Sequence, residues 1–225
     1  MTATPPPPTI RRLLLLRHGQ TVYNAGSRMQ GQLDTELSEL GVEQAVRAAQ
    51  VLARCKPLAV LSSDLRRAHD TALALGAEAG LDVTIDKRLR ETHLGAWQGR
   101  THAEVDTEFP GARAYWRGDA TWAPPGGESR VDVAQRAAPV VDELLRDEQY
   151  PDWSTRPIIL VAHGGLIAAL TAQLLDLPVS RWPILGGLGN ASWVQLRHFS
   201  TPGAGTGQWR LDVWNSSAEV APDAV

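Results

Sequence analysis

Short apolar runs alternate with longer amphipathic stretches along most of this chain, and this alternation restricts its fold more than any other feature. The runs predict strands at Arg12–Leu16, Ala59–Leu61, Val83–Ile85, Ile158–Ala162, Ala191–Leu196 and Trp209–Trp214. The stretches predict helices at Ser38–Arg54, Leu65–Ala79, Asp132–Arg146 and Leu166–Leu175. This order favours an α/β fold, a three-layer α/β/α sandwich with a mostly parallel central sheet.

Two of the predicted helices follow residues that commonly cap a helix N-terminus. Ser38 precedes the first helix, where its hydroxyl can accept a backbone N–H. Ser63 or Asp64 is expected to cap the helix that begins near Leu65 in the same way.

The chain of 225 residues is long enough for one substantial domain, which we place at residues 10–216. Residues 1–9 are proline-rich and residues 217–225 are polar, so both are predicted to be disordered. Residues 94–129 are rich in Gly, Pro and Trp and interrupt the alternation. They predict an excursion above the sheet, as a lid or binding loop, with a structural insert as the alternative.

Composition excludes several classes of partner. A net charge of −3 gives no indication of nucleic acid, and the apolar run that stops at Arg17 is too short to span a membrane or to resemble a secretory signal. The single cysteine, Cys55, cannot form an intramolecular disulfide and is expected to be buried after a helix. We therefore expect a cytoplasmic protein.

Charged and titratable side chains follow three of the predicted strands. The first strand ends at Arg17 and His18. The second leads to Asp64, Arg66 and Arg67, and the fourth ends at His163. Because ligands bind at the carboxyl ends of parallel strands, the fold is expected to bring these residues together. A lone histidine at a strand end is usually structural, but two histidines with arginines indicate a site for phosphate or carboxylate.

Glycines accompany both histidines. Gly19, Gly164 and Gly165 are expected to let the backbone approach a ligand closely, with free N–H groups at a helix start attracting an anion. A metal site is the competing explanation for paired histidines, but the sequence has no His-Glu-x-x-His and no clustered aspartates, so neither metal nor cofactor is expected. A serine hydrolase is also disfavoured, since the chain lacks Gly-x-Ser-x-Gly.

Five motifs occur in the order "LRHGQT", "SSDLRRAHDTA", "RETHLGAWQG", "GGES" and "VAHGG". Together they resemble the histidine phosphatase superfamily, the relatives of cofactor-dependent phosphoglycerate mutase. The resemblance implies the phosphoglycerate mutase-like fold and a phosphomonoester hydrolase that works through a phosphohistidine. It implies that His18 is the nucleophile, and that Arg17, Arg67 and His163 hold the phosphoryl group. The neighbouring Arg66 is expected to be a solvated helix charge.

Glu91 occupies the position of the family's proton donor, which protonates the departing oxygen. The alternative is a structural ion pair with Arg88 or Arg90. The resemblance also places Asn24 and Gln30 in contact with the phosphate or the rest of the substrate. Thr21, through its hydroxyl, and Gly164, through its N–H, are further candidates for substrate binding.

The residues that follow Glu91 and His163 distinguish a phosphatase from a mutase. In mutases the acid begins the pattern Glu-Arg-x-Tyr-Gly, whereas here Glu91 is followed by Thr92, His93, Leu94 and Gly95. After the second histidine mutases continue Gly-Asn-Ser, whereas this chain has Gly164, Gly165 and Leu166. We therefore favour a phosphatase, with a broad-specificity phosphatase or a mutase as alternatives. An inactive binding module is disfavoured, because all five catalytic positions are retained.

Longer segments, among them "GSRMQGQLDTELSELG", are similar to one actinobacterial group of these phosphatases. That resemblance implies a phosphorylated sugar acid as substrate, namely a glucosylated 3-phosphoglycerate, in methylglucose lipopolysaccharide synthesis, and a homodimer. Trp97, Trp116 and Trp122 could stack on a hexose, although packing is the favoured explanation for each. Trp193, Trp209 and Trp214 could form an apolar edge or pack on the core.

Overall fold

The computed structural model describes residues 8–201 and 207–218, and a six-stranded sheet runs through its centre. The strand order is β3-β2-β4-β1-β5-β6. The strands are β1 (Thr9–Arg17), β2 (Ala59–Ser62), β3 (Val83–Ile85), β4 (Ile158–Ala162), β5 (Trp193–Ser200) and β6 (Gln208–Ser216). β3, β2, β4 and β1 are parallel, whereas β5 is antiparallel to both of its neighbours, β1 and β6. The predicted mostly parallel sheet is confirmed.

Helices connect these strands and cover both faces of the sheet. The α-helices are α1 (Val22–Ala25), α2 (Glu39–Ala53), α3 (Arg66–Ala79), α4 (His102–Glu108), α5 (Ala112–Gly118), α6 (Arg130–Arg146) and α7 (Gly164–Leu174). Short 3-10 helices lie at Lys87–Leu89, Gly95–Trp97, Pro151–Ser154 and Val179–Ile184. Each predicted strand and helix has a counterpart, with ends that differ by a few residues.

One difference at an end concerns β1, which begins at Thr9 rather than at Arg12. Thr9 pairs with Ser200 of β5, so the antiparallel ladder continues beyond the apolar run. Backbone pairing needs no apolar side chain, which is why the apolar pattern places the start of β1 too late in the sequence. Thr9 therefore belongs to the domain and not to the predicted extension, of which residues 1–7 lie outside the described residues.

The leucines of β1 explain the two apolar layers. Leu13 and Leu15 pack on one face with residues of α6 and α7, whereas Leu14 and Leu16 pack on the other with residues of α2 and α3. Each of these leucines is at most 2% exposed. A strand buried on both faces is continuous in its hydrophobicity, as parallel strands between helix layers are.

The predicted cap of α3 is wrong, since Leu65 occupies the N-cap position and makes no side-chain hydrogen bond there. The Asp64 carboxylate instead pairs with Arg90, at 2.6 Å. The first N–H of α3, that of Arg66, donates to Asp34 Oδ1 at 2.7 Å. The helix thus receives its anionic partner from a loop distant in sequence, which is favourable at a positive helix terminus.

The segment 94–129 has a small apolar core of its own. Trp97 is fully buried and contacts Trp116 and Trp122, with ring centroids 5.9 and 5.5 Å away. Met29, Leu94 and Val105 complete this cluster. Trp97 therefore has a packing role, and Trp116 and Trp122 pack against it while remaining partly exposed. Trp193, Trp209 and Trp214 likewise pack against the two main cores.

Cys55 is exposed, contrary to expectation, because α2 ends at Ala53 and the chain turns there. No helix among the described residues is both apolar and long enough to cross a bilayer.

Two glycines let the loop after β1 approach the start of α2. A Cβ on Gly19 would lie 2.2 Å from the Gly41 carbonyl oxygen, and one on Gly41 would lie 1.9 Å from the Gln20 carbonyl oxygen. Gly19 therefore serves the approach of two backbone segments rather than of a ligand. This contact fixes the loop that begins at His18.

Gly41→Ala is expected to lower the free energy of unfolding by about 1–3 kcal/mol, because the added methyl group forces two backbones apart. Gly118→Ala is the control, since its Cβ would meet no atom within 4 Å. Urea unfolding of both variants gives the comparison. Equal stability of the two variants would contradict the close-packing role of Gly41.

Candidate active site

The carboxyl edge of the sheet gathers the residues predicted to form the site. His18 follows β1, His163 follows β4, and Arg67 lies in the first turn of α3 after β2. The rings of His18 and His163 meet edge to face, with centroids 5.1 Å apart. Both rings are buried, at 2% and 0% exposure.

The hydrogen bonds of His18 define which ring nitrogen is available for chemistry. Its Nδ1 lies 2.6 Å from the Gly19 carbonyl oxygen, and its Nε2 lies 3.3 Å from Arg67 Nε. A carbonyl oxygen only accepts and a guanidinium only donates, so Nδ1 carries the hydrogen and Nε2 holds the lone pair. Burial, followed by the charges of Arg67 and Arg17, lowers the pKa of His18 well below 6.5. The ring is neutral at neutral pH.

Arg67 is fully buried and is held by backbone carbonyl groups. It donates to the oxygens of Leu33 and Gly31, at 2.8 and 2.7 Å. Burial lowers the pKa of Arg67 to about 10, which still leaves the guanidinium charged at neutral pH. Arg66 lies outside the cluster, with a 55% exposed side chain that pairs with Glu36 and Asp70.

Two buried nitrogen atoms of the cluster have no hydrogen-bond partner among the described residues, Arg17 Nε and His163 Nδ1. The other end of the Arg17 guanidinium donates to the Leu188 carbonyl oxygen. Burial lowers the pKa of Arg17, while Glu91 opposes that change. Unpaired buried polar atoms are costly, so the arrangement fits a ligand that brings several acceptor oxygens.

Glu91 lies at the N-terminus of α7. Its Oε2 accepts the N–H of Gly165 at 3.1 Å, and its Oε1 accepts those of Leu166 at 3.0 Å and Thr92 at 2.8 Å. A Cβ on Gly165 would lie 2.6 Å from Oε1, so this glycine admits the carboxylate rather than a ligand. Helix N-termini favour anions through these N–H groups and the macrodipole.

The alternative of an ion pair between Glu91 and a neighbouring arginine is wrong. Arg88 pairs with Asp86 and Glu143. Arg90 pairs with Asp64, as described above. Glu91 therefore directs its carboxylate to α7 rather than to the charges beside it in sequence.

Arg136 fixes the chain that carries Glu91, and the sequence patterns do not mark it. Its guanidinium donates to the carbonyl oxygens of Arg88 at 2.7 Å, Arg90 at 3.0 Å and Glu91 at 3.3 Å. Glu128 of the "GGES" motif holds the same guanidinium at 2.9 Å. The glutamate inside that motif is the one indication in the sequence of an ion pair here, and it does not identify the partner.

The loop after β1 positions two amide side chains. Thr21 is the N-cap of α1 in a capping box with Asn24, and its hydroxyl contacts Gln30 Oε1 at 2.8 Å. Asn190 Nδ2 donates to Asn24 Oδ1 at 3.1 Å and to the His18 carbonyl oxygen at 3.3 Å. Thr21 is fully buried and uses its hydroxyl within the loop, so it positions the loop instead of contacting a substrate.

The oxygen atoms of Asn24 and Gln30 accept these internal hydrogen bonds, so their NH₂ groups are the parts of these side chains that can donate. Gly164 begins α7, and a Cβ there would lie 3.4 Å from Arg17 Nε. Within residues 8–201 and 207–218, no three His, Cys, Asp or Glu side chains are grouped as a metal site would require.

A buried, neutral histidine flanked by guanidiniums, with a second histidine and a carboxylate on a helix N-terminus, is the arrangement that the five motifs predict. The model of the histidine phosphatase superfamily (branch 1) matches residues 13–217. The chain belongs to this superfamily.

Among the relatives are proteins named glucosyl-3-phosphoglycerate phosphatase. The protein of that name from Mycolicibacterium vanbaalenii is 66% identical over 225 residues, which cover 96% of this chain and 99% of the relative. The one from Mycobacterium tuberculosis is 63% identical over 222 residues, which cover 96% and 99%. A metal-independent phosphoserine phosphatase from Arabidopsis thaliana is 31% identical over 217 residues, which cover 94% and 84%.

The fold of this chain is also similar to solved structures of a phosphatase of that name. The complex of mycobacterial glucosyl-3-phosphoglycerate phosphatase with VO3 has a TM-score of 0.87 at 65% identity, covering 92% of this chain and 100% of that chain. The complex of that phosphatase with inorganic phosphate has a TM-score of 0.86 at 62% identity, covering 94% and 100%.

Arg67→Ala is expected to weaken the binding of inorganic phosphate by roughly 10- to 100-fold, because a buried charged donor is lost. Arg66→Ala is the matched control and should bind phosphate as the unmodified chain does. Titration calorimetry measures both affinities, with circular dichroism to check folding. Weaker binding in Arg66→Ala alone would reverse the assignment of the two arginines.

Proposed function

We propose that this chain hydrolyses phosphomonoesters through a phosphohistidine formed on His18. The observation that carries the proposal is the Nε2 lone pair of a neutral imidazole, held 3.3 Å from Arg67 Nε in a buried cluster. A histidine must be unprotonated at the attacking nitrogen to act as a nucleophile. Here burial and two guanidiniums keep it so.

In the first step, Nε2 of His18 attacks phosphorus in line, and the bond from phosphorus to the departing oxygen breaks. Negative charge is spread over the three equatorial oxygens in the transition state. Arg17 and Arg67 supply the charges that stabilise these oxygens. A pair of opposite charges at 4 Å contributes about 4 kcal/mol at an effective dielectric constant near 20.

Glu91 is the proposed proton donor to the departing oxygen. Its Oε1 accepts hydrogen bonds from Leu166 and Thr92, whereas Oε2 accepts the one from Gly165. Oε2 therefore retains a lone-pair site for the proton. In the second step, water attacks phosphorus, the nitrogen–phosphorus bond breaks, and Glu91 takes the proton from that water.

The proposed substrate is glucosyl-3-phosphoglycerate, with glucosylglycerate and phosphate as products. The support is the high identity to the named phosphatases over nearly the whole chain. Asn24 and Gln30 are the proposed contacts to the substrate, and the Gly164 N–H is a proposed donor to its phosphate. Transfer is disfavoured because Thr92 fills the position after the acid, where it is 2% exposed and bound to Glu91.

The predicted homodimer, the predicted cytoplasmic location and the predicted role in methylglucose lipopolysaccharide synthesis stay predictions.

Glu91→Gln is expected to lower kcat on alkyl phosphates by roughly 10²- to 10⁴-fold, because a poor leaving group needs its proton. With activated aryl phosphates, the rate of phosphoryl transfer to His18 should stay close to that of the unmodified chain. Single-turnover measurements on an alkyl ester and on a nitrophenyl ester give the two rates. An equal loss on both esters would remove Glu91 from the role of acid.

The substrate is tested by comparing kcat/KM for glucosyl-3-phosphoglycerate, 3-phosphoglycerate and a nitrophenyl phosphate. The glucosylated ester is expected to give the highest value, because binding energy from the sugar acid is used in the transition state. Equal values for the three esters would leave a broad phosphomonoesterase. Loss of all three reactions in His18→Ala checks that one site is responsible.

A further inference from the structure

The second histidine of the cluster, His163, contacts a side chain to which the motifs assign no catalytic part, Ser63. Ser63 Oγ lies 2.9 Å from His163 Nε2. Both side chains are fully buried, at 0% exposure. Ser63 follows β2 and His163 follows β4, so the contact joins two neighbouring strand ends of the sheet.

The direction of this hydrogen bond follows from the other partners of Ser63. The hydroxyl oxygen accepts the N–H of Leu65 at 3.3 Å, which leaves one hydrogen to donate. Among the described residues, the acceptor bonded to this hydroxyl is His163 Nε2. If Nε2 carried the ring hydrogen, the Ser63 hydroxyl hydrogen would be buried without an acceptor, which is costly. The hydroxyl therefore donates to Nε2.

The consequence concerns the opposite nitrogen of the His163 ring. A neutral imidazole carries one hydrogen, so an accepting Nε2 places that hydrogen on Nδ1. His163 Nδ1 is buried and has no hydrogen-bond partner in the described part of the chain. Burial and the charge of Arg67 lower the pKa of His163 well below 6.5, which keeps the ring neutral.

We propose that Ser63 is a positioning residue that holds His163 in the Nδ1–H tautomer, so that His163 donates a hydrogen bond to a phosphoryl oxygen. His18 and His163 then carry their hydrogen on the same ring atom but present opposite chemistry. In His18, the Nδ1–H donates to the Gly19 carbonyl oxygen and the Nε2 lone pair is available for attack. In His163, the Nε2 lone pair accepts from Ser63 and the Nδ1–H is available to donate. The identity of the acceptor rests on the proposed function, but the tautomer does not.

The tautomer can be measured directly by nitrogen NMR of protein labelled at histidine, with His163→Gln used to assign the signals. We expect a protonated Nδ1 and an unprotonated Nε2 in the unmodified chain, and a shift of the Nδ1 proton when inorganic phosphate is added. A protonated Nε2 would overturn the proposal. An Nδ1 proton that does not respond to bound phosphate would overturn the proposed donation.

Ser63→Ala tests the positioning role. We expect a mixture of His163 tautomers, and a fall in kcat and in phosphate affinity on the order of 10-fold, because part of the population presents no donor. Ser63→Thr retains the hydroxyl and should restore the Nδ1–H tautomer and most of the activity. Ser62→Ala is the matched control, since it removes a neighbouring buried hydroxyl that donates to the Ser63 carbonyl oxygen.

A Ser63→Ala protein with the original tautomer and the original kcat would overturn the proposal. The spectra of the unmodified chain decide the tautomer even where a variant fails to fold. Failure of the proposed function would look different, because the unmodified chain would then release no phosphate from any ester while its spectra still reported the tautomer.

Discussion

Two guanidinium groups share a buried space with two imidazoles, and the balance of charge in that space governs the rest of the site. The groups that hold Arg17 and Arg67 directly are backbone carbonyl oxygens, those of Leu188, Gly31 and Leu33. Carbonyl groups fix the direction of a guanidinium without cancelling its charge. Burial lowers the pKa of both arginines, and the charge of Glu91 opposes that change. The positive charge therefore remains available to an anion, and it also keeps His18 neutral.

Helix α7 ties the acid to the second histidine through the backbone. His163 is the N-cap of α7, and the N–H groups of Gly165 and Leu166 hold the Glu91 carboxylate. Arg136 holds the carbonyl side of the same chain segment. The position of Glu91 relative to His163 is thus set by a helix terminus and a guanidinium, both more rigid than a side chain in solvent.

The sequence was sufficient for those features that depend on local pattern or on motif. Strand alternation located β1 to β6. The motif assigned Arg67 rather than Arg66 to the site, and Arg67 is buried whereas Arg66 is exposed. The features that were missed depend on contacts between distant segments. Asp34 replaces the predicted cap of α3, and Gly19 meets Gly41 of α2. Neither periodicity nor propensity predicts such contacts, because each residue of the pair could contact many other residues that are distant in sequence.

The packing of the tryptophans changes where selectivity for a sugar acid has to arise. Trp97 is enclosed in the small core of segment 94–129, so its ring face is not available to stack on a hexose. The amide groups of Asn24 and Gln30 remain, each oriented through its oxygen by internal hydrogen bonds. A site that binds hydroxyl groups through fixed donors discriminates strongly against analogues that lack them, because its donors are left unpaired. If Asn24 and Gln30 contact the substrate as proposed, their amide groups are oriented for that contact by Thr21 and Asn190.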